Sequence, residues 1–277
     1  MSDPLPRELV SPGRFTDKIA VVFGGGQTPG EGIGNGRATA RLLAAEGAVV
    51  VAVDRDRDRA EATAAEIRAE GGRAEAIAAD ITVTDDIHRA FSTVLERFGR
   101  VDVLHNNVGV SLAAGDSPLE EIDAETFERV TRINLTGMVM SCRRGLEIMR
   151  EQRSGVIVNI SSTAAVLRYP NIAYKTSKAG VIALTESIAI ENAHYGVRAN
   201  CLLPGLMATP MAIEPRVGRG GRSREDVVRE RDSHVPLGRM GSGWDTAAAA
   251  VFLASEHARF ITGVALRVDG GQCLLVG

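Results

Sequence analysis

Runs of uninterrupted apolar residues alternate with longer stretches whose apolar positions recur every three or four residues, almost from one end of the chain to the other. Residues 19–23 (IAVVF), 48–53 (AVVVAV), 101–105 (VDVLH), 156–161 (VIVNIS) and 197–203 (VRANCLL) predict buried strands. A weaker strand is expected over 73–79 and a last one over 264–268. The intervening periodicity predicts helices over 36–46, 57–70, 84–98, 124–150 and 171–194, with another opening near Trp244. This alternation specifies an α/β protein: a doubly wound parallel sheet of about seven strands, helices on both faces, joined by right-handed crossovers. No proline-rich linker or internal repeat interrupts it, so one domain is expected over 1–277, with 1–16 as an N-terminal extension. The exception to the pattern is 212–235, an irregular stretch with six arginines and five acids. Long loops in compact domains are commonly lids, and this one is expected to cover a substrate.

Composition narrows the classes. A net charge of -3 and a pI near 6.0 give no electrostatic case for nucleic acid or a membrane surface. Aromatic content of only 4%, beside abundant Ala, Gly and Val, suits close packing of helices on a parallel sheet. Cys142, Cys201 and Cys273 are scattered and odd in number, predicting neither a disulfide framework nor a zinc site, but a reducing cytoplasm. No signal peptide is read in the first fourteen residues.

Two constellations carry chemistry. After the first strand comes GGGQTPGEGIGNGRATA, residues 24–40. Glycines between strand and helix let backbone N–H groups approach a pyrophosphate, which the helix N-terminus then favours electrostatically. Asp54 ends the second strand 18 residues beyond Gly36, where a ribose-binding acid belongs; otherwise it would be a helix N-cap. A carboxylate there accepts both ribose hydroxyls and repels a 2′-phosphate, which favours NAD, whereas Arg55 and Arg57 could pair with such a phosphate. The second constellation is Tyr174 and Lys178 in YKTSK, twelve residues after Ser161-Ser162. Residues four apart share a helical face, so the ammonium lies beside the phenol. A phenol titrates near about 10, and near-neutral proton transfer needs that charge to favour the phenolate. Alone, the same spacing describes any surface Tyr and Lys on a helix.

With these motifs in order, the chain resembles the short-chain dehydrogenase/reductase family from about Asp17 to Gly271. The resemblance implies catalytic roles for Tyr174, Lys178 and a serine of NISS (159–162), with Asn134 of INLTG holding a proton-relay water. It implies cofactor contacts from Gly24, Gly26, Gly34, Asn35, Gly36, Asp54, Asp80, Ile81, Asn107 and Gly109. On the nicotinamide side it adds Tyr174, Lys178, Pro204, Leu206 and Thr209. The implied activity is hydride transfer between NAD(H) and a secondary alcohol or ketone, without a metal. The implied assembly is a homotetramer built on the helices at 124–150 and 171–194. Rival readings are an NADP-dependent 3-oxoacyl carrier-protein reductase and a non-catalytic dinucleotide-binding regulator.

Three departures from the family pattern matter. Phe23 stands where the glycine loop usually begins with Thr, and aligning GNGRATA with the usual GIGRATA leaves six extra residues between Gly26 and Gly34. Aligning GIG at 32–34 instead leaves four extra and misplaces the helix start. Val108 replaces the usual Ala in NNAG. Finally, strand register selects Ser162 as the catalytic serine, whereas counting back from Tyr174 selects Ser161. His88, His194, His234 and His257 read as surface residues, and His105 as packed or locally bonded. Met207 and Met211 read equally as substrate wall or core.

Overall fold

The computed structural model describes residues 3–275. The apolar runs become seven strands: β1 (Ile19–Phe23), β2 (Val49–Asp54), β3 (Arg73–Ala78), β4 (Val103–Asn106), β5 (Gly155–Ile160), β6 (Val197–Pro204) and β7 (Ala265–Val268). They pair in the order β3-β2-β1-β4-β5-β6-β7, every neighbour parallel. The helices are α1 (Asn35–Ala45), α2 (Arg57–Ala69), α3 (Thr84–Phe98), α4 (Ala124–Thr131), α5 (Gly137–Gln152), α6 (Ile172–Asn192), α7 (Pro210–Ile213), α8 (Arg224–Ser233) and α9 (Gly243–Ala254).

Side chains along a strand alternate between its two faces, so β1 feeds two cores. Ile19, Val21 and Phe23 enter the layer covered by α3, α5 and α6. Ala20 and Val22 enter the layer covered by α1, α2 and α9. Burial on both faces is why the central strands read as continuous apolar runs. The edge strand β3 keeps only Ala74 fully buried, which accounts for its weak signal. Strand order reverses between β1 and β4, and a crevice opens there at the carboxyl ends of the strands.

Two expectations need correction. The helix read over 124–150 is interrupted: Arg132–Thr136 winds as a π-helix between α4 and α5. The added residue per turn carries Asn134 inward, where it is fully buried. The stretch 212–235 is not irregular throughout. Ser223 and Asp226 form a capping box that opens α8, and Glu214–Arg216 and Arg219–Gly221 are short 3₁₀ turns. Only Val227 of α8 is buried, so no apolar stripe marks this helix in the sequence.

The N-terminal extension folds back on the domain. Leu5, Leu9 and Val10 pack against the second core, and the Arg41 guanidinium donates to the Asp3 carbonyl at 2.8 Å. Met1 and Ser2 of that extension lie outside the described residues.

Candidate active site

A cavity of about 670 Å³ occupies the crevice, lined from Asp54 and Asp80 at one end to Ser162, Tyr174 and Thr209 at the other. The glycine loop forms its floor. Gly24 turns with φ +72°, and a Cβ on Gly36 would lie 2.1 Å from the Gly24 carbonyl oxygen, so any side chain there would break the turn. Asn107 Nδ2 donates to that same carbonyl at 3.1 Å, tying the end of β4 to the loop. Gly34 is the N-cap position of α1, leaving its first turn facing the cavity with Asn35 and Gly36 on the lining. Backbone N–H groups at a helix start beside a glycine cradle suit a pyrophosphate.

Asp54 leaves β2 toward the same space. Its Oδ1 accepts from Asp56 N at 3.1 Å, and a Cβ on Gly26 would meet its Oδ2 at 2.7 Å. Burial, the largest influence, raises its pKa, while bonds from Asp56 and Gly26 oppose the shift. Arg55 and Arg59 line the same end, and Arg59 is engaged by Asp56 at 2.9 Å. Asp80 and Ile81 lie on the wall, the Asp80 carboxylate accepting both the amide and the hydroxyl of Thr82.

At the other end, α6 presents Tyr174 and Lys178. Ser162 Oγ accepts from Ala164 N at 3.1 Å and lines the cavity beside the Tyr174 phenol, where it favours the phenolate. Ser161 faces away: its hydroxyl donates to the Lys178 carbonyl at 2.6 Å and is buried. The Ser161 hydroxyl is thus committed to the backbone of α6, while Ser162 lines the cavity with Tyr174. Lys178 is 2% exposed, and its Nζ donates to the Ile160 carbonyl at 2.8 Å, leaving two N–H donors for a ligand. Burial lowers the ammonium from 10.5 to about 8. Burial likewise pushes the phenol up to about 12, with smaller opposing help from Ser162. The expected lowering of the phenol by Lys178 is not seen in this state. Nζ stands 5.7 Å from the ring centroid, bonded elsewhere, and burial outweighs it.

Asn134 lies beside them and makes three hydrogen bonds. Oδ1 accepts from Val110 N at 2.8 Å; Nδ2 donates to the Val110 carbonyl at 2.9 Å and to Ser177 Oγ at 3.1 Å. Both Nδ2 donors are used, while Oδ1 keeps a second lone pair to which a water can donate. Gly109 is packed against the lysine, where a Cβ would sit 3.0 Å from Nζ.

Pro204 and Thr209 line the cavity, as do both Met207 and Met211. Leu206 does not: its side chain packs with Ile213, Val227 and Met240, and its carbonyl accepts from Gly241 N at 3.0 Å. His88, His194, His234 and His257 are exposed. His105 is buried without a hydrogen bond, and its pKa is pushed down to about 3.

Sequence reading missed three features. Gln27 closes the enlarged loop from within: its Nε2 donates to the Gly32 carbonyl at 3.0 Å and its Oε1 accepts from Gly34 N at 2.8 Å. The same loop docks on the segment before α8, where Arg224 joins Glu31 at 2.9 Å and Glu214 at 2.6 Å. Asp116 binds the first turn of α6 from more than fifty residues away. Each rests on a contact between separate segments, which no local pattern signals; the glutamine's position inside the extra residues was the one available hint.

Comparisons with known proteins identify the family. The family model described as Enoyl-(Acyl carrier protein) reductase matches residues 30–272. A 3beta-hydroxysteroid dehydrogenase 1 from Eggerthella lenta is 38% identical over 251 residues, covering 90% of this chain and 93% of that protein. The levodione reductase of Leifsonia aquatica is 34% identical over 94% of this chain and 95% of its own length. A crystal structure of levodione reductase superposes with a TM-score of 0.87 at 32% identity, covering 95% of this chain and 100% of that one. The protein belongs to the short-chain dehydrogenase/reductase family, enzymes that use a nicotinamide cofactor on CH–OH and C=O groups.

Proposed function

We propose that the protein is an NAD(H)-dependent oxidoreductase that interconverts a secondary alcohol and its ketone, with Tyr174 as the acid/base. The observation that carries this reading is the presence of Ser162, Tyr174 and Lys178 on one cavity whose far end holds Asp54. The residues present fit a dinucleotide. The Gly24–Gly36 contact leaves room for a pyrophosphate and none for side chains, and the two free donors of Lys178 suit the hydroxyls of a ribose. Bound there, the nicotinamide supplies hydride exchange at its C4 and, when oxidised, a positive charge.

In oxidation, the Tyr174 phenolate takes the alcohol proton as the carbinol hydrogen leaves with its electron pair. Ser162 Oγ, steadied by the Ala164 amide, holds the substrate oxygen. Burial favours the protonated phenol, which suits proton donation in the reducing direction. In oxidation, a bound oxidised nicotinamide would supply positive charge that favours the Tyr174 phenolate. Asn134 acts by fixing Val110 and Ser177 around the site.

Asp54 supports NAD, because burying its carboxylate against a 2′-phosphate is unfavourable. Arg55 on the same rim favours the NADP reading, and a 3-oxoacyl-[acyl-carrier-protein] reductase from Synechocystis is 35% identical over 94% of this chain. The apolar Met207 and Met211 on the lining favour a mainly apolar, small to medium substrate, with 212–235 as its lid. A cytoplasmic homotetramer through α4, α5 and α6 is the corresponding assembly, and sedimentation of the purified chain tests it.

The functional test is turnover of a panel of secondary alcohols and ketones with NAD(H) and NADP(H). Turnover with NAD(H) at a kcat/KM at least about tenfold above NADP(H), worth about 1.4 kcal/mol, is expected. Comparable values would show that Arg55 outweighs Asp54, and no turnover with either would overturn the assignment.

A further inference from the structure

Helix α6 carries both Tyr174 and Lys178, yet its own N-cap residue, Asn171, makes no side-chain capping bond. The first N–H groups of any helix lack partners within it, and a helix end without a cap frays. Here the missing acceptor arrives from the loop after β4. Asp116 Oδ1 accepts from Ala173 N at 3.1 Å, and its Oδ2 accepts from Tyr174 N at 3.0 Å. The next residue completes the set, the Ser117 carbonyl accepting from Ile172 N at 3.1 Å. Asp116 is itself held, since Ser111 Oγ donates to its Oδ2 at 3.1 Å and the side chain is only 4% exposed. The far end of the same loop is clasped at Val110 by Asn134.

We propose that Asp116 is the positioning residue of Tyr174: an N-cap supplied from a distant loop that sets where the phenol stands against Ser162. The inference rests on the acid/base reading of Tyr174. Two effects follow from one carboxylate. Its bonds fix the first turn of α6, so the phenol keeps its alignment. Its charge offsets the positive end of the helix, which would otherwise favour a phenolate at this position. The charged and titratable groups around Tyr174 act in both directions: Tyr169 and Asp116 disfavour the phenolate, Arg216 favours it, and Lys178 lies 5.7 Å from the ring.

The test is Asp116→Asn in the full chain, assayed with the best alcohol of the panel and saturating cofactor. Asparagine keeps the shape, loses the charge, and turns a donor toward one backbone N–H. The expected result is a kcat lower by about ten- to a hundredfold, with cofactor KM changed by less than about threefold. The rise of kcat with pH should also move to lower pH, because a carboxylate that opposed phenolate formation is gone. The amides of Ala173 and Tyr174 should exchange faster than in the wild type. A kcat within about twofold of wild type, or a uniform loss with an unmoved pH profile, would overturn the proposal. If the variant does not fold, exchange in the wild-type protein decides. Slow exchange at Ala173 and Tyr174, as in the core, supports the cap; the rate of an open helix end overturns it. Tyr174→Phe in parallel separates the two readings. Retained turnover there removes the acid/base assignment, while the exchange result still reports whether Asp116 holds the helix.

Discussion

The two walls of the cavity are built on different physics. One wall, from β4, β5 and α6, is a buried polar lattice. Ser141 Oγ donates to Asn106 at 2.8 Å, Asn106 to Asn159 at 2.9 Å, and Asn159 to Thr185 at 3.0 Å, all among residues at most 1% exposed. The opposite wall joins the enlarged glycine loop to the segment after β6 by charge pairs and close backbone approach. Arg224 bridges Glu31, itself 80% exposed, to Glu214. A Cβ on Gly30 would meet the Glu214 side chain at 2.7 Å, and one on Gly32 would meet the Ala208 carbonyl at 2.9 Å. In low dielectric a satisfied network holds its geometry firmly, whereas exposed ion pairs contribute little. The groups assigned to proton transfer stand on the first wall; the second carries Met207, Thr209 and Met211 and shapes what may enter.

Lys178→Met removes the buried ammonium of the first wall. Turnover should fall by about two to four orders of magnitude, with weaker cofactor binding measured by titration. The same change should stabilise the free protein at pH 7. Holding this lysine at about 8 rather than 10.5 disfavours its charged form by roughly 3 kcal/mol. Between those pH values the unfolded chain binds the proton that the native state has shed, so wild-type stability rises with pH through that window. The advantage of Lys178→Met should therefore shrink from about pH 8 to 10.5, as melting temperatures will show. A variant less stable than wild type at pH 7 would contradict that reading.

Asn134→Ala attacks the π-helix of the same wall. It strips partners from Val110 and Ser177, and should lower stability by about 1–3 kcal/mol in chemical denaturation. Turnover should fall with it, because the loop leading to Asp116 loses its anchor. Full stability would show that Val110 finds other partners.

Arg224→Ala sharpens the comparison from the other side. Loss of a half-exposed pair should change global stability by less than about 1 kcal/mol. Exchange across α8 should quicken and substrate KM should rise, with kcat little altered. A large fall in kcat would show that the second wall, too, takes part in the chemistry.

The walls also differ in how far the sequence reveals them. The parallel sheet of about seven strands and its two-sided burial follow from apolar runs, and the family resemblance carried by the motifs implied one site for Tyr174, Lys178 and Asp54. Apolar runs are short-range signals that repeat with the period of the element. The π-helix at Arg132–Thr136 escaped because its residues keep an ordinary helical pattern, and the partners that Asn134 meets, Val110 and Ser177, are distant in sequence. Helix α8 escaped because one buried residue makes no stripe, although Ser223 and Asp226 spelled its capping box. Leu206 was placed on the cofactor by motif position, but an apolar neighbourhood of Ile213, Val227 and Met240 claims its side chain. The Tyr174–Lys178 spacing predicted a charge acting on a phenol; burial of both groups, invisible in spacing, dominates in the free protein.

The central claim is that Tyr174 carries the proton while the rest of its wall merely holds it in place. The direct measurement is turnover and cofactor binding of Tyr174→Phe side by side with wild type, using the best substrate of the panel. Removing one oxygen from a phenol that lines the cavity with Ser162 should leave the fold and cofactor affinity intact and reduce kcat by at least about a hundredfold. A kcat above about a tenth of wild type, with cofactor bound as before, would contradict it.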